Sequence, residues 1–207
     1  MKKVFIVLSN DQYDTMYLRN GFDVVANIEE ADFIQFTGGE DVSPRLYGQN
    51  PHPSTHSSEA RDMFEMRVYD AAIDRGVPMV GICRGGQFLN VMSGGIMKQH
   101  VDGHAIGGEH LMVDLASGEM VSVTSTHHQM MSPDPDLGEL IAVASESTYW
   151  EDGERTRHKS ERGDDCEVVW YPKTKALCFQ PHPEYVAKSH QCQMYFFELL
   201  NQYVTGA

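Results

Sequence analysis

The stretch "PMVGICRGGQFLNVM", residues 78–92, limits the fold of this chain more than any other. An apolar strand-like run meets a helix-like run with almost nothing between them, and a cysteine stands at the join. Gly81 and Gly85 flank Cys83 at two positions on either side. This is G-x-C-x-G, the thiol counterpart of the G-x-S-x-G nucleophile elbow. A strand-to-helix corner this sharp forces its central residue into a sparsely populated backbone conformation. Side chains at the flanking positions would clash, so glycine has a steric reason to be there. The helix N-terminus beyond the corner aims N–H groups at the sulfur and favours the thiolate.

The surrounding pattern supplies a parallel sheet for such a corner. Strands are expected at Val4–Leu8, Phe22–Ala26, Phe33–Phe36 and Met79–Ile82, with a helix after the first ending at Gly21. Asp62 and Glu65 resemble a capping box opening a helix to about Arg75, with Phe64, Val68 and Ala72 on one face. A further helix runs to about Met92. The order βαββαβα predicts an α/β fold with helices on both faces of the sheet. The second half changes character. "HLMVDL", "VSVTS", "LIAVAS", "CEVVWY" and "ALCFQ" are short strand candidates joined by turns, and "SHQCQMYFFELLNQYV" is a final helix. The turn-rich "TGGEDVSPRLYGQNPHPSTHSSE" is long enough to be functional. The mixed charges of "EDGERTRHKSERGDD", residues 151–165, suit a solvated loop or hairpin tip. Residues 1–207 show no linker or repeat and are read as one domain.

Charge narrows the function classes. Thirty acidic and 16 basic side chains give a net charge of −14, which disfavours nucleic acid as a partner and leaves room for a basic protein. No segment has the apolar length of a membrane span. "MKKVFIVLSNDQ" has too short an apolar run for a signal peptide, so a cytoplasmic protein with reduced thiols is expected. Four cysteines, Cys83, Cys166, Cys178 and Cys192, match no zinc or disulfide spacing.

A nucleophile needs a base, and the base an orienting group. In "CFQPHPEYV", His182 lies between two prolines just after a strand, with Glu184 two positions on. The prolines stiffen the turn, and Glu184 can accept from one ring nitrogen while the other faces Cys83. The backbone N–H of Arg84 and the glycines of "FTGGED" are candidate oxyanion donors. His100, His104 and His110 invite a metal reading. The glycines between them argue against a helix, and no Cys or carboxylate set completes a tetrahedral site, so no metal is expected. In a strand, adjacent His127 and His128 would face opposite ways.

In this order, "TGGEDVSPRLYG", "RDMFE", "GICRGGQFLNVMSGG", "TSTHHQ" and "FQPHPEY" resemble class I glutamine amidotransferase-like proteins, nearest the γ-glutamyl hydrolase branch that includes γ-glutamyl-γ-aminobutyrate hydrolase. The likeness covers about residues 33–186. It implies a three-layer α/β/α, flavodoxin-like fold with a mostly parallel central sheet, plus the short antiparallel strands of the second half. It implies a Cys83–His182–Glu184 triad, oxyanion donors at the Gly39 and Arg84 backbones, and a substrate pocket involving Gln87, Ser125 and His127. It implies hydrolysis of a γ-glutamyl amide through a glutamyl thioester, with no metal or organic cofactor. The chain is shorter than such hydrolases generally are, and "ERTRHKSERGDD" departs from their pattern. Two activities follow: a glutaminase feeding ammonia from L-glutamine to a separate synthetase partner, placed first, or a stand-alone hydrolase of γ-glutamyl amides. A non-catalytic binding relative would have no need of the triad.

Overall fold

A computed structural model describes residues 1–206 of the chain. Its first half alternates as the pattern predicts: β1 (Lys3–Val7), α1 (Asp11–Arg19), β2 (Asp23–Val25), β3 (Phe33–Phe36), α2 (Glu59–Arg75), β4 (Met79–Ile82) and α3 (Arg84–Met92). The second half is mostly short strands: β5 (Ile96–Lys98), β6 (His100–Val101), β7 (Gly108–Asp114), β8 (Met120–Ser125), β9 (Met130–Ser132), β10 (Glu139–Ala144), β11 (Tyr149–Glu151), β12 (Arg157–Lys159), β13 (Cys166–Tyr171) and β14 (Ala176–Phe179). Helix α4 (Gln191–Leu199) closes the chain and runs on into a π-helical turn at Leu200–Thr205.

The main sheet has the order β2-β1-β3-β4-β14-β13-β10-β7-β8. Pairing is parallel from β2 through β14 and antiparallel from β14 through β8. Successive residues of the parallel strands face opposite layers. Phe33, Val80 and Ile82 pack with Tyr17 of α1 and Phe196 of α4. Ile34, Phe36 and Met79 pack with Val68 of α2 and Phe88 of α3. The result is the expected three-layer α/β/α arrangement, because strands flanked by helices on both sides must be apolar on both faces.

Helix α2 starts earlier than expected and turns a different face inward. Its N-cap is Ser58, whose side chain accepts from the Arg61 N–H. Asp62 and Glu65 therefore lie inside the helix, both fully buried, and form no capping box. Phe64, expected on the buried face with Val68 and Ala72, is 42% exposed. The buried face is Asp62, Glu65, Val68, Tyr69 and Ala72. Gly76 ends the helix in the left-handed region at φ 65°, as its position implies.

The charged segment 151–165 does form a hairpin: β11 and β12 pair antiparallel, and β6 completes a separate three-stranded sheet. Its base is tied down by a buried ion pair, Lys98 Nζ to Asp165 Oδ1 at 2.8 Å.

The corner after β4 tolerates no added atoms. A Cβ on Gly81 would lie 2.3 Å from the Gly85 carbonyl carbon, and one on Gly85 would lie 2.2 Å from the Phe36 carbonyl oxygen. Gly85→Ala is expected to cost about 3 kcal/mol or more in urea unfolding. Gly108→Ala, where no atom lies within 4 Å of the new methyl, should change stability by less than about 1 kcal/mol.

Candidate active site

Three neighbouring strands deliver the site. Cys83 follows β4, the "TGGE" loop follows β3, and His182 lies just beyond β14, and both β3 and β14 pair with β4. Ligands of open α/β sheets bind beyond the carboxyl ends of strands, and all three segments meet at that edge. Cys83 adopts φ 51° and ψ −114° and stands as the N-cap of α3. A non-glycine residue there is strained, and the tight packing of Gly81 and Gly85 holds it in place. Its N–H donates to the Phe179 carbonyl at 2.8 Å, which ties the corner to β14.

His182 is buried and its Nδ1 lies 2.6 Å from Glu184 Oε1. That contact turns the other ring edge toward Cys83. The backbone N–H of His182 donates to Thr124 Oγ1 at 2.7 Å, and the ring stacks on Tyr185 with centroids 4.3 Å apart. Backbone and ring are thus held from three sides. Burial disfavours the imidazolium, but the adjacent Cys83 and Glu184 outweigh it and raise the pKa of His182 well above its ordinary value. The other cysteines differ. Burial pushes the thiols of Cys166, Cys178 and Cys192 up and keeps them protonated, as expected for core residues.

The glycine loop is shaped by "RDMFE". Arg61 Nη2 donates to the carbonyls of Thr37 and Gly38, both at 2.9 Å, so the loop's C=O groups turn toward α2. Gly38 N–H donates to Tyr13 Oη at 2.8 Å. Gly39 sits at φ 145°, and a Cβ there would lie 2.0 Å from Arg61 Nη1. The Gly39 and Arg84 N–H groups donate to no carbonyl among the described residues. Arg61 also bridges Glu40 and Glu65 at 2.9 Å each, and Glu65 and Asp62 together hold the guanidinium of Arg84. One ladder of charges, Glu40–Arg61–Glu65–Arg84–Asp62, therefore locks the glycine loop to the residue after the cysteine. Burial and the nearby Arg61 lower the Arg84 pKa to about 10 against the pull of Asp62, so the side chain stays charged at neutral pH.

The predicted pocket residues are placed unevenly. Gln87 lies in the first turns of α3, and its amide donates to the Gln129 carbonyl at 3.1 Å and to Gln180 Oε1 at 3.2 Å. Ser125 ends β8, fully buried, and its hydroxyl has no partner. His127 is buried and turned toward Glu167, while His128 faces the other way, 3.1 Å from Asp41. The ion-pair ladder lay hidden in the sequence. "RDMFE" carries its charges, but their partners come from "TGGE" and from Arg84, 22 residues beyond Asp62.

The peptidase C26 family model matches residues 16–159. The chain belongs to the peptidase C26 family. It is 39% identical over 130 residues to a Mycobacterium tuberculosis protein named as glutamine amidotransferase Rv2859c, covering 54% of this chain and 41% of that protein. It is 32% identical over 162 residues to the glutamine amidotransferase-like protein YvdE of Lactococcus lactis, covering 69% of this chain and 66% of YvdE. The matched region thus spans less than two thirds of either relative. Among solved structures, PurLQS from Thermotoga maritima superposes with a TM-score of 0.67 at 16% identity, covering 97% of this chain and 98% of the other. That likeness is one of fold, and it agrees with the α/β architecture described above.

Two outcomes test the electrostatics. Glu65→Ala strips a carboxylate from two buried guanidiniums and is expected to cost about 3–5 kcal/mol in urea unfolding. Glu184→Gln removes a negative charge that raises the His182 pKa. The imidazole should then titrate at lower pH in an NMR titration than it does in the unaltered protein.

Proposed function

We propose that the chain hydrolyses γ-glutamyl amides through a covalent cysteine intermediate, as a glutaminase-type amidotransferase component. The observation that carries this reading is the strained Cys83 beside a His182 whose far nitrogen is held 2.6 Å from Glu184. The thiolate of Cys83 attacks the amide carbonyl carbon. Charge moves to the carbonyl oxygen, where the free N–H groups of Gly39 and Arg84 stabilise it. The imidazolium of His182 gives its proton to the departing amine, the C–N bond breaks, and a glutamyl thioester remains. Water then loses a proton to His182 and attacks the thioester. Glutamate leaves and the thiolate is restored. Glu184 keeps the proton-bearing edge of the ring fixed throughout. Ser125, with its buried hydroxyl unpaired, and Gln87 are proposed to face the glutamyl end of the substrate. His127, turned toward Glu167 at 3.6 Å, lies behind that wall.

The names of the relatives support glutamine as substrate. Passage of the ammonia to a separate synthetase is part of the proposal, and the net charge of −14 suits a basic surface on such a partner. The peptidase C26 family model supports the second reading, a self-sufficient hydrolase of γ-glutamyl amines or peptides. The test is glutamate release from L-glutamine and from a panel of γ-glutamyl amines. Cys83→Ala is expected to lower turnover by about 10⁴-fold or more, and Glu184→Gln by about 10²- to 10⁴-fold. Unchanged turnover in Cys83→Ala would sink the mechanism. Fast turnover of γ-glutamyl amines with poor use of glutamine would favour the second reading. Slow glutamine turnover that rises when a synthetase is added would favour the first.

A further inference from the structure

The expectation of no metal at His100, His104 and His110 rested on the glycines between them and on the lack of a Cys or carboxylate set, and His100 is not among the residues that the fold gathers. The fold supplies a carboxylate. His104 follows β6, His110 lies on β7 and His127 follows β8, and all three turn toward Glu167 on β13, which lies 57 residues beyond His110. Glu167 Oε1 lies 2.9 Å from His110 Nε2, 3.3 Å from His104 Nδ1 and 3.6 Å from His127 Nε2. The candidate ligand atoms of the four residues all lie within 4.8 Å of one another.

The protons do not account for this arrangement. His127 Nδ1 lies 3.0 Å from the Gln129 carbonyl, which can only accept, so that nitrogen carries the proton. In the neutral ring its Nε2 then presents a lone pair toward a carboxylate oxygen, and two lone pairs facing each other repel. His104 Nδ1, His127 Nε2 and Glu167 Oε2 are all buried without a hydrogen-bond partner. Glu167 has no lysine or arginine within ion-pair distance among the described residues, since the nearby Lys98 is committed to Asp165. His110 Nε2 is at hydrogen-bond distance from Glu167 Oε1, which still leaves the second carboxylate oxygen and the His104 and His127 nitrogens buried and unpaired, a costly state that a cation among them would relieve.

The distances suit one. Metal–nitrogen and metal–oxygen bonds of about 2.0–2.2 Å at tetrahedral angles place neighbouring ligand atoms about 3.3–3.6 Å apart. Two of the three nitrogen–oxygen separations, 3.3 and 3.6 Å, fall in that range, and the third, His110 to Glu167 at 2.9 Å, is a hydrogen-bond distance that an ion between them would widen. The bond from His127 to the Gln129 carbonyl is the outer contact that fixes a ligand's tautomer. A cavity of about 300 Å³ bordered by Asp102, His104, His110 and Ser145 gives an ion access from solvent.

We propose that His104, His110, His127 and Glu167 form a binding site for one divalent transition-metal ion of the zinc type, closed by four protein ligands. Imidazole and carboxylate donors in a tetrahedral set select such an ion over calcium or magnesium, which take oxygen ligands in larger shells. The site is structural. It cross-links β7, β13 and two loops, and it anchors the 126–129 segment. The Gln129 carbonyl in that segment also accepts from Gln87.

The test uses the full chain carrying Cys83→Ala, so that metal held by the catalytic thiol is not counted and the result does not depend on turnover. After chelator treatment and gel filtration, the protein should take up one equivalent of Zn²⁺. One equivalent of Co²⁺ should give the strong visible ligand-field bands of tetrahedral coordination. Zn²⁺ at about a hundredfold excess over its Kd should raise Tm by about 5–10 °C. Glu167→Gln and His104→Ala should each weaken uptake by at least about 10-fold. Replacing half-exposed His158, which pairs with Asp152, should leave uptake unchanged. Weak octahedral Co²⁺ bands, no Zn²⁺ uptake with no Tm shift, or equal uptake by all three variants would each overturn the proposal. The cobalt spectrum is read on a chain with all four ligands intact, so it decides the matter even if a ligand variant fails to fold.

Discussion

The packing of Gly81 and Gly85 at the end of β4 is the constraint on which the site depends. Helix α3 starts in direct contact with the backbones of β3 and β4, at distances where a single methyl would collide with carbonyl atoms. This proximity has two effects. It holds Cys83 at a positive φ that a looser turn would relax, and it brings the first turn of α3 against Phe36 at the end of β3. The strain at Cys83 is therefore borne by the close packing of the surrounding strands, and the geometry that the proposed chemistry needs and the packing needed for stability are the same contacts.

Charge carries that geometry outward. The ladder from Glu40 through Arg61, Glu65 and Arg84 to Asp62 is largely buried and alternates in sign along its length. A buried ion pair is rarely a gain over apolar packing, so its value here lies in specificity. Arg61 turns the Thr37 and Gly38 carbonyls toward α2, and the Gly39 N–H donates to no carbonyl among the described residues. His182 is held by the same means. Glu184, Thr124 and Tyr185 each fix one degree of freedom of His182.

The antiparallel half of the sheet does a different job. Strands β7, β8 and β13 bring three histidines around one buried carboxylate, behind the segment that carries Ser125 and Gln129. The two halves meet at Gln180, whose N–H donates to the Glu167 carbonyl while its side chain accepts from Gln87. A change at the histidine cluster is thus one residue removed from the wall of the proposed pocket.

What could be read from the chain alone was what depends on neighbours in sequence. The alternation of strands and helices in the first half, the corner at Cys83 and the Pro-locked His182–Glu184 turn are all local, and each is found where its residues imply. The start of α2 misled because acidic residues suit a helix N-terminus and a buried ion pair equally well, and only the distant Arg84 decides between them. Strands of two or three residues such as β5, β6, β9 and β12 have no periodicity to detect. Of the histidine cluster, His104 and His110 stood out in the sequence, but that His127 and Glu167 are their partners could not be read there. Its carboxylate comes from a strand whose place beside β14 is settled by sheet order and register. Local order along the chain set a cysteine on a strained strand-to-helix corner, because backbone strain and helix polarity act over a few residues. Only the tertiary structure decided which loops face that corner and which buried charges meet, because those partners are brought together by strand order across the sheet.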